Sequence, residues 1–189
     1  MGFLDRFRKT SVKTERRNNF IQEIVSAYGL KKAQPYEPSL EQDWLEGYYG
    51  TMRFAVQEWG MDIHVYLGDV VEVTEIYLGR VPPGSTLPPA GSPQRLDRIV
   101  GTEGAEIANQ FLLLAHPAGD FDYPQLRLPE LLHGIPHFSP SVGEIAIYDN
   151  FRGLFLILKQ PISRADFDND LSIASGIVKA ISSYSGNTH

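Results

Sequence analysis

The chain has 189 residues, of which 42% are hydrophobic and 21% charged, a balance typical of a single globular domain. It contains no cysteine, which excludes a disulfide framework, a cysteine-ligated zinc site and a cysteine nucleophile. The formal net charge is −6, but residues 1–17 carry a surplus of four positive charges and the rest of the chain carries −10, which argues against a nucleic-acid-binding domain because such a domain needs a basic face.

Residues 1–13 are predicted to form a basic arm ahead of the domain. Phe3, Leu4 and Phe7 can share one face of a short helix while the bases take the other faces, a pattern typical of an interfacial membrane anchor. The alternative is an arm that packs on its own domain. Because no segment approaches the roughly 18 apolar residues that span a bilayer, we expect a cytoplasmic protein, with peripheral contact to an anionic membrane as the alternative location.

The first half of the domain is predicted to be one helix followed by strands. Residues 14–28 have apolar positions at helical spacing, and Gly29 provides a stop. Residues 51–58 and 61–67 alternate as strands of a hairpin with Trp59-Gly60 as its turn, which pairs Val56 with Ile63 and Phe54 with Val65. Gly68-Asp69 then turns the chain into a third strand at 70–78, expected beside the second.

The second half follows a stretch at 79–96 that holds five prolines and three glycines and is predicted to be a long exposed loop. A strand at 111–115 and a short helix near 129–133 come next. A hairpin at 144–148 and 154–160 turns on Asp149-Asn150, and its second strand is apolar on both faces, which predicts a central position in the sheet. A final helix covers about 169–184.

These elements predict one α+β domain over residues 14–189. It would consist of an antiparallel sheet built from two or more hairpins, with an N-terminal and a C-terminal helix packed on it. Asp62-Ile-His-Val-Tyr66 and Glu144-Ile-Ala-Ile-Tyr148 are alike, which allows either a duplicated unit or two unrelated amphipathic hairpins.

The polar face of the first hairpin is the main candidate site. The predicted register turns five side chains away from the apolar face, namely Arg53, Gln57, Asp62, His64 and Tyr66. A slightly longer next turn would bring Glu72 opposite His64 and Thr74 opposite Asp62. A histidine beside carboxylates and an arginine can serve acid–base catalysis or anion binding. The alternative is an ordinary solvated face of an antiparallel sheet.

Three histidines are the candidate metal ligands. His116, His133 and His137 lie near Asp120 and Asp122, a set of residue types that can bind a metal. Gly134 and Pro136 interrupt the spacing of the last two histidines, so histidines in ordinary loops are the alternative. The sequence has no dinucleotide or Walker motif, and no cofactor is expected.

The order of several segments resembles a bacterial family of uncharacterised domains found near membranes. These segments are Gly47-Tyr-Tyr-Gly50, the strand Phe111-Leu-Leu-Leu, the helix Leu-Pro-Glu-Leu-Leu and the hairpin Ile-Ala-Ile-Tyr-Asp-Asn, followed by the final helix. The resemblance covers about residues 45–184. It implies the same order of elements and no particular activity.

The absence of a catalytic motif favours a binding or scaffold module whose partner is a protein or a small ligand. One alternative is a small enzyme that uses Arg53, Asp62 and His64. The other is a membrane-peripheral accessory protein that uses the basic arm. The sequence leaves the oligomeric state open.

Overall fold

The computed structural model describes residues 3–32, 44–60, 62–68, 74–96, 105–115, 135–148, 153–159 and 162–185. Its helices are α1 (Phe3–Tyr28), α2 (Ala105–Gln110) and α3 (Arg164–Ser185), with a short 3₁₀ helix at Ile135–His137. Its strands are β1 (Lys31–Lys32), β2 (Leu45–Tyr49), β3 (Met52–Trp59), β4 (Asp62–Gly68), β5 (Thr74–Arg80), β6 (Phe111–Ala115), β7 (Val142–Tyr148) and β8 (Gly153–Leu158). They form an antiparallel sheet in the order β1-β2-β3-β4-β8-β7-β5-β6, which confirms the predicted α+β class.

Helices α1 and α3 cover one face of the sheet, called the inner face below. Apolar side chains of both helices are buried there, among them Ile24 on α1 and Leu171 on α3, and the ring of Phe20 on α1 meets Phe167 on α3 edge-on at 5.3 Å. Helix α1 ends at Tyr28 as predicted, but it begins at Phe3 and so includes most of the predicted arm. Helix α3 begins earlier than predicted, because Ser163 caps it by accepting a hydrogen bond from the Asp166 amide at 3.1 Å.

The two helices are also joined by a polar contact. The Tyr28 hydroxyl on α1 donates to Asp168 Oδ1 on α3 at 2.5 Å, and Arg164 Nε donates to the same oxygen at 2.5 Å. Burial and the bond to Asp168 raise the pKa of Tyr28 to about 12, so the phenol keeps its proton at neutral pH. The contact fixes the relative position of α1 and α3 over the sheet.

Strand β8 is central, as its apolar composition predicted. Every residue of β8 is buried, and the strand pairs with β4 on one side and with β7 on the other. A strand covered on both faces must be apolar throughout, so this composition reports its position in the sheet directly.

The register of the β3–β4 hairpin differs from the prediction by two residues. Phe54 pairs with Leu67 and Val56 with Val65, and Trp59 pairs with Asp62, so the hairpin turn follows Trp59 and begins at Gly60. Gly60 has a φ of 60°, and a two-residue hairpin turn needs this left-handed conformation at its first position. The shift is even, so each side chain remains on its predicted face.

The predicted pairing of β4 with β5 is wrong. Strand β8 lies beside β4, and β5 lies between β7 and β6. Thr74 therefore pairs with Tyr148 and not with Asp62. Chain order favours β4 next to β5, but the fully apolar β8 needs a position with cover on both faces and takes the place beside β4.

The proline-rich loop begins at Val81, because Gly79 and Arg80 are the last residues of β5. Residues 81–96 contain successive turns, such as the bond from the Ser85 amide to the Pro82 carbonyl at 3.1 Å. An isolated bridge between Arg95 and Leu112 returns the loop to the edge of the sheet at β6. The predicted helix near 129–133 lies outside the described residues.

Two glycines should respond to the same substitution with opposite signs. Gly60→Ala is expected to lower the free energy of unfolding by about 1–2 kcal/mol, because a Cβ is strained at a φ of 60° even where space is open. Gly176→Ala should raise it by about 0.5–1 kcal/mol, since Gly176 lies within α3 and an added Cβ would meet no atom within 4 Å. Urea denaturation of both variants checks this, and equal signs would contradict it.

Candidate functional site

The candidate site lies on the outer face, the face of the sheet opposite α1 and α3. Successive side chains of a strand point to opposite faces, so Val56 and Val65 on the inner face place Gln57 and His64 on the outer face. The same alternation, with the contacts given below, gives further members, which are Trp44, Glu46, Tyr48, Arg53, Ala55, Trp59, Asp62, Tyr66, Tyr77, Leu114, Glu144, Ala146, Phe155, Ile157 and Lys159.

Aromatic rings form a continuous row across the outer face. Trp44 contacts Tyr66 with ring centroids 4.5 Å apart, reaching across β3 where Ala55 leaves room. Tyr66 in turn lies 4.5 Å from Phe155 on β8. The row lies over the middle of the face, where Ala55 and Phe155 are buried.

His64 joins this row to its exposed end. The Phe155 ring meets the His64 imidazole edge-on at 5.1 Å, and the Trp59 ring stacks nearly parallel on it at 6.0 Å. Burial lowers the pKa of His64, with Asp62 opposing this effect and Lys159 adding to it. The imidazole is therefore neutral at physiological pH.

Lys159 binds two carboxylates beside His64. Its Nζ lies 3.1 Å from Asp62 Oδ2 on β4 and 2.5 Å from Glu144 Oε1 on β7, so it joins both neighbours of β8. The Tyr77 hydroxyl donates a further hydrogen bond to Glu144. The lysine stem runs over Gly143, where an added Cβ would come within 2.3 Å of Lys159 Cγ.

Glu144 and Lys159 each stabilise the charged form of the other. Burial works to raise the pKa of Glu144, but the hydrogen bonds from Lys159 and Tyr77 outweigh it and hold that pKa below its usual value. Burial likewise opposes the charge of Lys159, and its bonds to Glu144 and Asp62 raise the pKa of the amine. Lys159 is thus firmly protonated, which removes it as a nucleophile or base at neutral pH.

The structure brings together only part of the predicted catalytic set. Asp62 and His64 lie two residues apart on the outer face of β4, about 7 Å between Cα atoms. Gln57 on β3 is the cross-strand partner of His64, and Arg53 lies four residues, or about 13 Å, from Gln57 along the same strand. Its guanidinium pairs there with both Glu46 oxygens, at 2.7 and 2.9 Å. Glu72 lies outside the described residues.

Of the three predicted metal ligands, only His137 lies in the described part of the chain, so the metal site stays a prediction. His137 is exposed on the 3₁₀ helix, and His116 and His133 lie outside the described residues. Among the residues that are described, no group of three or more histidine, aspartate or glutamate side chains could hold a metal ion.

Sequence reasoning missed Lys159, Glu144 and Tyr77 as members of this site. One signal for Glu144 was present, since the likeness of Asp62-Ile-His-Val-Tyr66 to Glu144-Ile-Ala-Ile-Tyr148 aligns Asp62 with Glu144. These two residues are the carboxylates that flank Lys159. No sequence signal placed β8 between the two segments, so the lysine that they share was not identified.

Comparison with protein-family models, with curated proteins and with solved structures gave no match. The resemblance in element order therefore stays a prediction. Within the described residues, none of the helices combines the length and the apolar character needed to cross a bilayer.

Proposed function

We propose that this protein is a binding module without a catalytic function, and that its outer face docks a protein partner. One observation carries the proposal. In the described part of the chain, the large apolar side chains with the greatest exposure are Tyr48, Trp59 and Leu114, and all three lie on the outer face. These side chains are spread over the width of one face, and aromatic residues exposed on one face are enriched at interaction surfaces.

The extent of the face favours a protein over a small ligand. Tyr48 lies on β2 and Leu114 on β6, six strand spacings apart in the sheet. At roughly 4.8 Å per spacing this is about 29 Å, a width suited to a standard protein–protein interface of roughly 800 Å² per partner. Tryptophan and tyrosine are also the residue types that most often anchor such interfaces.

The polar groups of the face fit a binding role better than catalysis. Lys159 is held by Asp62 and Glu144, and Arg53 is held by Glu46. Charges that are paired with each other give a surface its electrostatic pattern and its specificity. The enzyme alternative draws support from His64, because a neutral imidazole beside Asp62 can act as a general base. The third member of that set, Arg53, lies about 13 Å along β3 from the partner of His64.

Photo-crosslinking tests the proposal in cells that produce the full chain. A benzoylphenylalanine introduced at Trp59 or at Leu114 should give adducts with the same partner protein, because both positions lie on one interface. Matched probes at Gln22 on α1 and Lys179 on α3, which are exposed on the helical layer, should not give this adduct.

Adducts of equal yield from the helical positions would contradict docking on the outer face. A His64→Gln variant separates the two functions, because it should leave the Trp59 adduct unchanged if the face only binds. Turnover of a ligand that is lost in His64→Gln would favour the enzyme instead.

A further inference from the structure

The first half of α1 extends past the end of the described sheet. Helix α1 has 26 residues, which corresponds to about 39 Å. Arg17 on α1 donates to the carbonyl of Gly60 at 2.5 Å and lies 3.0 Å from Glu58, so it marks the level of the β3–β4 turn. Tyr28, at the other end of this part of α1, packs on Phe54, which lies on β3 six residues before Gly60. The helix from Arg17 back to Phe3 therefore continues about 21 Å beyond that turn.

This extension is basic and amphipathic by its helical register. At 3.6 residues per turn, the positions of Phe3, Leu4 and Phe7 fall within one arc of about 100° around a helix. By the same spacing, the positions of the bases fall outside that arc, namely Arg6, Arg8, Lys9, Lys13 and Arg16.

We infer that residues 3–16 form an interfacial helix that lies on an anionic lipid surface. An aromatic and aliphatic side beside a basic side matches the boundary between acyl chains and acidic headgroups. The rest of the chain carries −10 and would be repelled by such a surface. Arg6, Arg8 and Lys9 stand about 12–17 Å along the helix axis from Arg17, which exceeds the Debye length of about 8 Å at physiological salt, so this end of the helix can bind while that repulsion is screened.

A lipid surface fits this extension better than a polyanion alone. A nucleic acid or an acidic protein would engage the bases and gain little from Phe3 and Phe7. Lipid binding requires both sides of the helix, so variants of each side distinguish the partners. The inference does not depend on the outer face, which lies on the other side of the sheet.

Vesicle co-sedimentation of the full chain tests the inference. Wild type should bind vesicles of phosphatidylcholine with phosphatidylserine and not phosphatidylcholine alone, and binding should weaken as salt shortens the Debye length from about 30 to about 8 Å. Replacing Arg6, Arg8 and Lys9 by glutamine should lower the partition coefficient on the order of 100-fold. Replacing Lys31 and Lys32, exposed bases on β1, is the matched control and should change it little.

The Phe3→Ala/Phe7→Ala variant decides between lipid and other partners. It should lose most binding to the anionic vesicles and keep the melting temperature of wild type. Undiminished binding would overturn the inference in favour of a generic polyanion contact. A large fall in melting temperature would also overturn it, because the two phenylalanines would then be part of the folded core. Equal binding by the glutamine variant and the wild type would overturn it as well.

Discussion

Leu156→Ala is expected to lower the free energy of unfolding by about 2–5 kcal/mol. Leu156 lies in the middle of β8, is 2% exposed and faces the inner layer. Its cross-strand partners are Val65 on β4 and Ile145 on β7, both fully buried. Because strands hold both flanks and helices cover the face, the lost side-chain volume cannot be refilled by collapse and a cavity remains.

Leu114→Ala is the matched control, with the same substitution in the same sheet. Leu114 lies on β6, at the edge of the sheet, and is 51% exposed, so its loss should cost less than about 1 kcal/mol. Urea denaturation measures both values, and an unchanged m-value shows that the two-state comparison holds. Equal costs at the two positions would mean that β8 is not the centre of the core.

The elements that sequence analysis placed well are those whose composition reports burial. Strand β6 has the predicted bounds, and β8 was assigned a central position because it is apolar on both faces. Helix α1 ends at Tyr28 because Gly29 adopts a left-handed φ of 61°. In each case a local property of the residues decides the outcome.

The neighbours of the strands could not be derived in the same way. A period of two residues assigns the face of a side chain and is unchanged by a two-residue shift, so the β3–β4 register was missed while the faces were correct. The choice between β5 and β8 as neighbour of β4 depends on how the whole sheet is covered. No single segment of the sequence encodes that choice.

In the candidate site, too, the residues of one strand were identified and those that meet only across the sheet were missed. Asp62 and His64 were identified because they share one face of one strand. Lys159 was missed because its two carboxylate partners come from β4 and β7, which are distant in the chain and meet only across β8. Arg53 was included because it shares their face, but a strand separates residues by about 3.3 Å each, and four residues take it out of reach.

Asp170→Ala is expected to lower the free energy of unfolding by about 2–3 kcal/mol. Asp170 on α3 is 1% exposed, and its oxygens accept hydrogen bonds from the Ser139 amide at 2.7 Å and the Ser139 hydroxyl at 2.6 Å. These bonds hold the turn before β7 against α3. Arg80 contacts the same turn through the carbonyls of Phe138 and Ser139. Alanine would leave the Ser139 donors without their acceptor.

Asp170→Asn is the control that keeps the shape and removes the charge. Its amide oxygen can accept from the Ser139 amide, and its amide nitrogen can donate to the Ser139 hydroxyl oxygen, so both contacts are retained. The cost at neutral pH should be less than about 1 kcal/mol, because a buried carboxylate is itself unfavourable. A loss as large as that of Asp170→Ala would show that the charge, and not the pair of hydrogen bonds, stabilises the turn.

The free energy of unfolding should depend on pH differently in wild type and in Asp170→Asn. Burial raises the pKa of Asp170 above its unfolded value of 3.8, and the two bonds from Ser139 only partly offset this. The folded state therefore holds this proton more tightly than the unfolded chain does, and protonation of Asp170 adds stability as the pH falls through the folded pKa towards 3.8. Asp170→Asn lacks this proton, so on acidification from neutral pH its free energy of unfolding should fall faster than that of wild type. Urea denaturation of both proteins at a series of pH values between about 7 and 4 measures the difference. Parallel profiles, or a faster fall for wild type, would show that Asp170 is no harder to ionise in the folded protein than in the unfolded chain.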